Sequence, residues 1–338
     1  MYHDAFQLRE EPFSITPDPR FMYLSRYHQE GLAHLLYSIQ SSSGFVLLTG
    51  EVGAGKTTLS RCLLEQLPAN VDLALIFNPK LSAAELVASI CDELRIEYPK
   101  KTKSLKVLIN VLNRHLVAAH SRGRKVVVVI DEAQNLSPEL LEQVRLLTNL
   151  ETATQKLLQI ILIGQPELLH MLEKKELRQL AQRVTARFHI GPLDESETDG
   201  YIRHRLAVAG AVSTLFEPKA TRLIFRLSGG VPRLVNKIGD RSLLGAFAQE
   251  SPQVTPEIVH QAAIEVLGPV AARAARASWL GDRRLPLAVG AGLLLLLVGA
   301  TGGYWWNQRG GEPAAGSAAG SAASAVASAP DPGETAAK

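Results

Sequence analysis

The stretch Gly50-Glu51-Val52-Gly53-Ala54-Gly55-Lys56-Thr57 has the glycine and lysine spacing of a phosphate-binding loop, the Walker A motif. The apolar run 45–49 precedes it, and the helix-like stretch 58–67 follows it. The glycines let the backbone turn so that successive N–H groups point at phosphate oxygens, and the helix directs its positive end to the same place. This order of strand, loop and helix predicts a P-loop fold that binds a nucleoside triphosphate.

The residues of this loop have separate expected roles in binding ATP. Lys56 has the length and charge to reach the β and γ phosphates, and the Thr57 hydroxyl is placed to hold Mg²⁺. The other contacts come from backbone N–H groups and from the first residues of the helix. The expected nucleotide-binding residues are Gly50, Glu51, Val52, Gly53, Ala54, Gly55, Lys56, Thr57 and Thr58.

A second motif, Val126-Val127-Val128-Val129-Ile130-Asp131-Glu132, is an apolar run that ends in two carboxylates. A buried parallel strand would carry both acids to the carboxyl edge of the sheet, where ligands bind in doubly wound folds. We expect Asp131 to hold Mg²⁺ through its water shell and Glu132 to polarise the attacking water, as in an NTPase that hydrolyses its nucleotide. A strand followed by acidic helix-capping residues is the alternative.

The next apolar run, 158–164, ends at Gln165, which we expect between the two Walker strands. A polar side chain there can sense the γ-phosphate and orient the lytic water. The alternative interpretation is a turn residue ahead of Pro166.

Three arginines are candidates for neutralising charge during hydrolysis. Arg183 and Arg187 stand just before the predicted last strand, and Arg187 is the first candidate for a finger that reaches the γ-phosphate of a neighbouring subunit in a homo-oligomer. Solvated or locally paired arginines are the alternative. Arg233 lies in the first turn of a predicted helix after Gly229-Gly230-Val231-Pro232. A cation there opposes the helix dipole, so an anionic partner such as phosphate is expected.

Short apolar runs alternate with longer amphipathic ones between residues 40 and 190. The pattern predicts strands near 45–49, 71–77, 126–130, 158–163 and 187–190. Strands that alternate with helices predict an α/β fold with a parallel sheet. Helical periodicity then takes over, with Pro218, Pro232 and Pro256 at expected helix starts. We expect a nucleotide-binding α/β domain with an N-terminal extension at 1–194 and a helical lid at 195–268.

The composition is that of a folded globular protein. Of the 338 residues 46% are hydrophobic and 20% are charged, and the formal net charge is +3. No dense run of lysine and arginine with interleaved aromatics occurs, so no nucleic-acid partner is expected. Cys62 and Cys91 have no partner at metal spacing and are expected to be buried core residues in a reducing compartment.

One segment is apolar enough to cross a membrane. Leu285–Trp306 contains 22 consecutive residues without a charge, enough to span a hydrocarbon core of about 30 Å as a transmembrane helix. A buried core helix is the alternative. Arginines are more frequent in the basic linker 269–284 than just after the span, which predicts an N-terminal part in the cytoplasm and an exported C-terminus.

The two ends of the chain carry further expectations. Residues 1–11 contain charges and no long apolar run, so no signal peptide is expected. The tail 307–338 is rich in Ala, Gly, Ser and Pro and has almost no bulky side chains, so we expect it to be disordered.

In combination these motifs resemble those of AAA+ ATPases and, more narrowly, of the general secretion pathway protein A family. The narrower resemblance is carried by Phe6–Phe21, Tyr23–His28, Gly44-Phe45, Thr49–Gly53, Asp131–Gln134 and Gly164–Leu168. It implies a bacterial inner-membrane ATPase that acts with a protein B partner to place the type II secretion secretin across peptidoglycan, with the C-terminal tail in the periplasm. It also implies that the region from Pro17-Asp18-Pro19 to His28 lies near the adenine, so His28 is a candidate nucleotide contact.

The sequence departs from that family in one respect. Members commonly carry a periplasmic peptidoglycan-binding domain after the span, whereas 29 low-complexity residues, 310–338, follow Arg309. We therefore expect a partner, rather than this chain, to contact the wall.

Other functions stay open at this point. Related ATPases of pilus biogenesis and of exopolysaccharide or exosortase systems share most of the N-terminal motifs. A DNA-handling ATPase of the transposition kind has the same core, since AAA+ folds host many tasks. A scaffold that uses bound nucleotide as an assembly switch would need no hydrolysis.

Overall fold

Five apolar runs form the five strands of a single sheet. The protein is described by a computed structural model, which covers residues 2–16, 18–41, 44–77, 81–99, 102–152 and 155–269. The strands are β1 (Phe45–Gly50), β2 (Val71–Ile76), β3 (Lys125–Ile130), β4 (Leu158–Gly164) and β5 (Val184–Ile190). Their order in the sheet is β2-β3-β4-β1-β5, and each neighbouring pair is parallel. The predicted α/β fold with a parallel sheet is therefore confirmed.

Helices cover both faces of this sheet, which explains why the central strands are continuous apolar runs. Every residue of β1 and β4 is buried, as expected for parallel strands with both faces covered. The helices are α1 (Tyr2–Ala5), α2 (Arg26–Ser41), α3 (Lys56–Glu65), α4 (Ala83–Glu93), α5 (Leu105–Ser121), α6 (Pro138–Leu147), α7 (Glu167–Leu172), α8 (Arg178–Ala181), α9 (Glu195–Val208), α10 (Pro218–Ser228), α11 (Pro232–Ala248) and α12 (Pro256–Leu267).

The start of β5 differs from the prediction. The strand begins at Val184, three residues earlier than the predicted 187–190, so Arg187 lies inside it and pairs with Leu47 of β1. β5 is at the edge of the sheet, and its exposed residues alternate with partly buried ones. An alternating polar pattern is a weaker strand signal than the continuous apolar runs of the inner strands, which is why the predicted start is too late.

Local sequence signals set the helix starts on the C-terminal side of the sheet. Pro218, Pro232 and Pro256 each occupy the first turn of a helix, as predicted. Asp194 caps α9 by accepting a hydrogen bond from the Glu197 N–H, while the Glu197 side chain accepts from the Asp194 N–H. After β5, the described residues form helices and their connections.

The N-terminal segment packs with these C-terminal helices. Its side chains Tyr2, Leu8, Phe13 and Phe21 share one buried cluster with residues of α9 to α12. The rings of Phe13 and Phe216 meet edge to face, with centroids 5.9 Å apart. Two further clusters fill the two faces of the sheet. The segment therefore packs into the core of the C-terminal helices, while the division into domains at 194 and 268 stays a prediction.

Some expectations fall on other parts of the chain. Within the described residues, no helix has both the length and the apolar character needed to cross a bilayer. The predicted span 285–306 and tail 307–338 lie outside the described residues, as does nearly all of the linker 269–284.

Candidate nucleotide-binding site

The phosphate-binding loop connects β1 to α3 at the carboxyl edge of the sheet. Gly53 and Gly55 have φ angles of +83° and +97°, a region that favours glycine. A side chain at Gly53 would also meet the Arg233 side chain, since a Cβ there would lie 2.3 Å from the Arg233 Cβ. The loop conformation and its contact with the C-terminal helices thus both require glycine.

Lys56 is held inside this loop. Its ammonium donates hydrogen bonds to the carbonyls of Gly50, at 2.7 Å, and Glu51, at 2.9 Å. The side chain is only 6% exposed. Burial lowers the pKa of Lys56, while the nearby carboxylates of Glu132 and Asp131 act in the opposite direction. An anion that binds in the loop would compensate the positive charge of this buried lysine.

The two Walker motifs meet through Thr57 and Asp131. The Thr57 hydroxyl donates to Asp131 Oδ2 over 3.1 Å, and Asp131 Oδ1 accepts from the Glu132 N–H over 2.9 Å. Burial raises the pKa of Asp131, and these two hydrogen bonds oppose that shift. Hydroxyl and carboxylate oxygens are the ligands that Mg²⁺ prefers, so this pair fits the predicted metal role.

Glu132 belongs to a small network of polar side chains. Its φ of +53° is unusual for a residue with a side chain. Glu132 Oε2 accepts from Gln134 Nε2 at 2.5 Å and from Gln165 Nε2 at 3.4 Å. Gln134 Oε1 accepts in turn from the Gln165 N–H at 3.0 Å. The end of β4 is thereby connected to the end of β3, with the Glu132 carboxylate oriented by two glutamines.

Sequence reasoning gave Gln134 no role, although it stands in the quoted stretch Asp131–Gln134. Its position two residues after Glu132 is the only signal, and this spacing does not reveal that the side chain turns back toward the carboxylate.

Arg233 lies beside the phosphate loop at the start of α11. Its N–H donates to the Gly53 carbonyl over 3.2 Å, which joins the first turn of α11 to the loop. Its side chain lines the same pocket as Lys56. The predicted anion-binding arginine is therefore at the pocket.

His28 supports the loop from the side of α2. Its Nε2 lies 2.9 Å from the Ala54 carbonyl, and its Nδ1 lies 2.6 Å from the Ser25 hydroxyl. A carbonyl can only accept, so Nε2 carries a proton, and in the neutral ring Nδ1 accepts from Ser25. Burial lowers the pKa of His28. Its side chain also lines the pocket.

These groups surround a cavity of about 300 Å³, a volume suited to a nucleotide. Its wall includes the predicted residues Val52, Gly53, Gly55, Lys56, Thr57, Thr58, His28, Glu132, Gln165 and Arg233. Gly50, Glu51 and Ala54 are adjacent, and each contributes a carbonyl to the contacts described above. Asp131 reaches this region through its hydrogen bond with Thr57.

The cavity is also lined by residues to which motif spacing gave no role in binding. The residues are Ser14, Ile15, Thr16, Asp18, Phe21, Met22, Tyr23, Leu193, Tyr201, Arg205, Pro232 and Asn236. The resemblance implies that the segment from Pro17 to His28 lies near the adenine, which stays a prediction. Of this segment, Asp18, Phe21, Met22, Tyr23 and His28 line the pocket, and Pro17 lies outside the described residues. Tyr201, Arg205 and Asn236 carried no signal beyond helical periodicity.

Arg183 and Arg187 are not in this cavity. The Arg183 guanidinium donates to Thr148 Oγ1 at 3.0 Å and to Asn149 Oδ1 at 2.7 Å. It stands at the start of β5, at the edge of the sheet opposite the phosphate loop. Arg187 is exposed on β5, with one long hydrogen bond of 3.4 Å to the Ala181 carbonyl. Among the described residues, the arginines that line this cavity are Arg205 and Arg233.

The phosphate loop, the two Walker strands with β4 between them, and the helices after β5 define a P-loop ATPase fold of the AAA class. The AAA domain family matches residues 39–172. The general secretion pathway protein A of Aeromonas hydrophila is 50% identical over 307 residues, which are 91% of this chain and 54% of that protein. The resemblance to this family, predicted from the motifs, is confirmed. The chain spans about half the length of this curated relative.

Solved structures agree with the fold. Cdc6p from Pyrobaculum aerophilum has a TM-score of 0.59 at 19% identity, over 75% of this chain and 70% of that one. The ORC2 protein of Aeropyrum pernix, solved as ADPNP and ADP complexes, has a TM-score of 0.57 at 18% identity, over 76% of this chain and 71% of that one. At these identities the likeness concerns the fold alone.

Proposed function

We propose that this chain binds ATP with Mg²⁺, hydrolyses it, and uses the cycle to drive assembly of a bacterial envelope complex. One observation carries the proposal: a single cavity brings together the Lys56 ammonium, the Thr57 and Asp131 pair, and the Glu132 carboxylate. Each group has the chemistry that phosphoryl transfer to water requires.

Lys56 would bind the β and γ phosphates, together with the backbone N–H groups of the loop. Thr57 and Asp131 would hold Mg²⁺, which when bound neutralises charge on the phosphate oxygens. Glu132 would accept a proton as a water oxygen bonds to the γ-phosphorus and the bond to the β-phosphate oxygen breaks, which releases ADP and phosphate. Gln134 and Gln165 would keep the carboxylate aimed at that water.

Arginines would supply the remaining positive charge. Arg233 can approach the γ-phosphate within the chain, because its helix begins against Gly53. Arg187 is exposed and lies outside its own cavity, so we assign it to the cavity of a neighbouring subunit in a homo-oligomer. Hydrolysis would then depend on assembly.

The envelope role follows from the relative named above. By analogy with the general secretion pathway protein A family, we propose that the chain acts in type II secretion, with a protein B partner, on secretin insertion across peptidoglycan. We also propose that the segment 285–306 anchors it in the bacterial inner membrane, with the ATPase in the cytoplasm. A pilus, exopolysaccharide or exosortase system is the alternative setting. The likeness to Cdc6p and ORC2 is one of fold and adds nothing in favour of DNA.

Steady-state phosphate release by the purified protein, measured across protein concentration, tests the enzymatic part. We expect Mg²⁺-dependent release whose specific rate rises with concentration. Lys56→Ala should lose ATP binding, whereas Glu132→Gln should bind ATP and turn over slowly. Nucleotide binding without any phosphate release would favour the scaffold, and equal turnover of Glu132→Gln and wild type would remove Glu132 from the mechanism.

The envelope part needs a separate test in cells that carry the secretion system. We expect Glu132→Gln, which traps the ATP-bound state, to co-purify with the protein B partner and to leave the secretin unassembled. Normal secretin assembly with Glu132→Gln as the sole copy would exclude this role while leaving the ATPase intact.

A further inference from the structure

Three hydrogen-bonded side chains, those of Arg205, Tyr201 and Asn236, line the cavity. Arg205 Nη1 donates to the Tyr201 hydroxyl over 2.9 Å, and that hydroxyl donates to Asn236 Oδ1 over 2.8 Å. All three residues are buried, and all three line the cavity. Arg205 and Tyr201 belong to α9, whereas Asn236 belongs to α11.

The direction of these hydrogen bonds fixes the orientation of the Asn236 amide. A guanidinium can only donate, so the tyrosine oxygen accepts from Arg205 and keeps its own proton for the next bond. That proton requires an acceptor, which identifies the asparagine atom as Oδ1. The amide nitrogen Nδ2 therefore points away from Tyr201 with two donor hydrogens.

The Asn236 amide nitrogen has no hydrogen-bond acceptor among the residues that the structure describes. Asn236 is 6% exposed and faces the cavity. Asn236 therefore has donor hydrogens that a ligand in the cavity can use, and a polar group that a ligand covers is nearly always hydrogen-bonded. The geometry thus presents an oriented donor to whatever fills the cavity.

Arg205 also connects this row of side chains to the N-terminal segment. Its guanidinium donates to the carbonyls of Pro12 and Ser14, the latter at 3.0 Å, and lies 4.7 Å from the centre of the Phe21 ring. These contacts keep the N-terminal segment against α9. Removing the cation would release both the segment and the tyrosine that orients the amide.

The location of Asn236 determines which part of a nucleotide it faces. Arg233 is beside Gly53 at the phosphate loop, and Asn236 is three residues further along α11, a rise of about 4.5 Å. Tyr201 and Arg205 connect Asn236 to the N-terminal segment, where Arg205 donates to the carbonyls of Pro12 and Ser14. Lys56 is instead held by the carbonyls of the phosphate loop. A donor on the side of the N-terminal segment suits the nucleoside better than the terminal phosphates.

We propose that the Asn236 amide donates a hydrogen bond to an acceptor atom of the bound nucleoside, and that Tyr201 and Arg205 are positioning residues that hold the amide in this orientation. This inference rests on the proposed function, since it requires the cavity to bind a nucleotide. The proposed contact comes from α11 and recognises the nucleoside, whereas the contacts of the loop recognise the phosphates.

Titration calorimetry of the full chain tests the proposal with two ligands, MgATP and inorganic triphosphate with Mg²⁺. Asn236→Asp keeps the shape and replaces the donor by an acceptor, so ATP affinity should fall by about tenfold or more while triphosphate affinity stays within about twofold. Tyr201→Phe should weaken ATP binding by a smaller factor, about threefold to fivefold, because the amide stays present but loses its anchor. Asn110→Asp, an exposed change of the same charge on α5, is the matched control and should bind both ligands normally.

Analogues identify the acceptor. If it is a ribose oxygen, the deoxy nucleotide that lacks this oxygen should bind wild type and Asn236→Asp alike. If the acceptor is a ring nitrogen, a deaza analogue with carbon at that position should bind wild type and Asn236→Asp with equal affinity.

Other outcomes would overturn the inference. Wild-type ATP affinity in Asn236→Asp would exclude the contact, and an equal loss of ATP and triphosphate affinity would place the effect at the phosphates. If Asn236→Asp does not fold, the Tyr201→Phe variant is the test. Unchanged ATP affinity with a lower melting temperature would show that the three hydrogen-bonded side chains have only a structural role. If the wild-type protein binds neither MgATP nor inorganic triphosphate, the proposed nucleotide-binding function itself is wrong.

Discussion

The Thr57 hydroxyl lies 3.1 Å from a carboxylate oxygen of Asp131, although 74 positions separate the two residues in the chain. This hydrogen bond joins the start of α3 to the end of β3 and sets two oxygen ligands side by side. The parallel register explains the proximity, because β1 and β3 both end at this edge, with β4 between them. Metal dependence should therefore require both side chains.

Asp131→Asn tests this metal dependence. The amide keeps the shape but loses the negative charge, so we expect ATP affinity in the presence of Mg²⁺ to fall to the value measured with a chelator. Turnover should fall by about a hundredfold or more, because charge on the phosphates is no longer neutralised. Thr57→Ser, which retains the hydroxyl, should keep most activity. An Asp131→Asn variant that still gains affinity from Mg²⁺ would contradict the assignment.

Gln134 offers a test of how the Glu132 carboxylate is positioned. Gln134→Leu removes the donor 2.5 Å from Glu132 and the acceptor for the Gln165 N–H. We expect kcat to fall about tenfold with KM for ATP changed less than twofold, since orientation of the base and not ground-state binding is lost. Gln143→Leu on α6, outside the cavity, is the control. Unchanged kcat would mean that the glutamine does not orient the base.

A pair of glycines separates backbone strain from a clash at the site. Gly53 and Gly123 have φ of +83° and +72°, but a Cβ at Gly53 would lie 2.3 Å from the Arg233 Cβ, whereas a Cβ at Gly123 meets nothing within 4 Å. Gly123→Ala should destabilise the protein by only about 1–2 kcal/mol of left-handed strain. Gly53→Ala should cost more and abolish ATP binding. Urea unfolding and calorimetry measure both, and equal losses of stability would contradict the close packing at Arg233.

These predictions also mark what the sequence could and could not reveal. Lys56, Thr57 and Asp131 were predictable because each role depends on short contiguous spacing at the end of a strand. Asn236 and Arg205 were not, since their roles depend on the docking of α9 and α11 against the N-terminal segment. No local periodicity encodes contacts between residues so far apart in the chain, such as the one between Arg205 and the Pro12 carbonyl.

The predicted start of β5 is wrong for a similar reason, because it too depends on contacts between distant parts of the chain. The inner strands β1 and β4 were found because both faces are buried, whereas β5 exposes Thr185, Arg187 and His189 in alternation. A polar alternating strand at a sheet edge is specified largely by pairing with its neighbour, here β1. Pairing with a strand some 140 positions away is invisible in a local window.

His28 predicts a dependence of stability on pH. Burial lowers its pKa in the folded protein below the ordinary value of 6.5, against smaller opposite effects of the hydrogen bond to the Ala54 carbonyl and of Glu197. The unfolded chain therefore binds the proton more readily, so the stabilising contribution is complete above about pH 6.5 and is lost as pH falls toward the folded-state pKa. Free energies of unfolding at pH 7.5 and 5.5 should show a larger loss for wild type than for His28→Gln, whose amide can still donate to Ala54. Equal losses would exclude His28 as the source.

The exposed position of Arg187 leads to a prediction about mixed oligomers. Arg187→Ala and Lys56→Ala should each be nearly inactive alone. Arg187→Ala cannot supply the positive charge to the neighbouring subunit, and Lys56→Ala cannot bind ATP. When they are mixed, an intact cavity of an Arg187→Ala subunit can face the intact Arg187 of a Lys56→Ala subunit, so phosphate release should partly recover. Arg183→Ala should instead lower the melting temperature and keep turnover, because its guanidinium bonds to Thr148 and Asn149 of its own chain. No recovery at any mixing ratio, with co-assembly demonstrated by cross-linking, would rule out action between subunits.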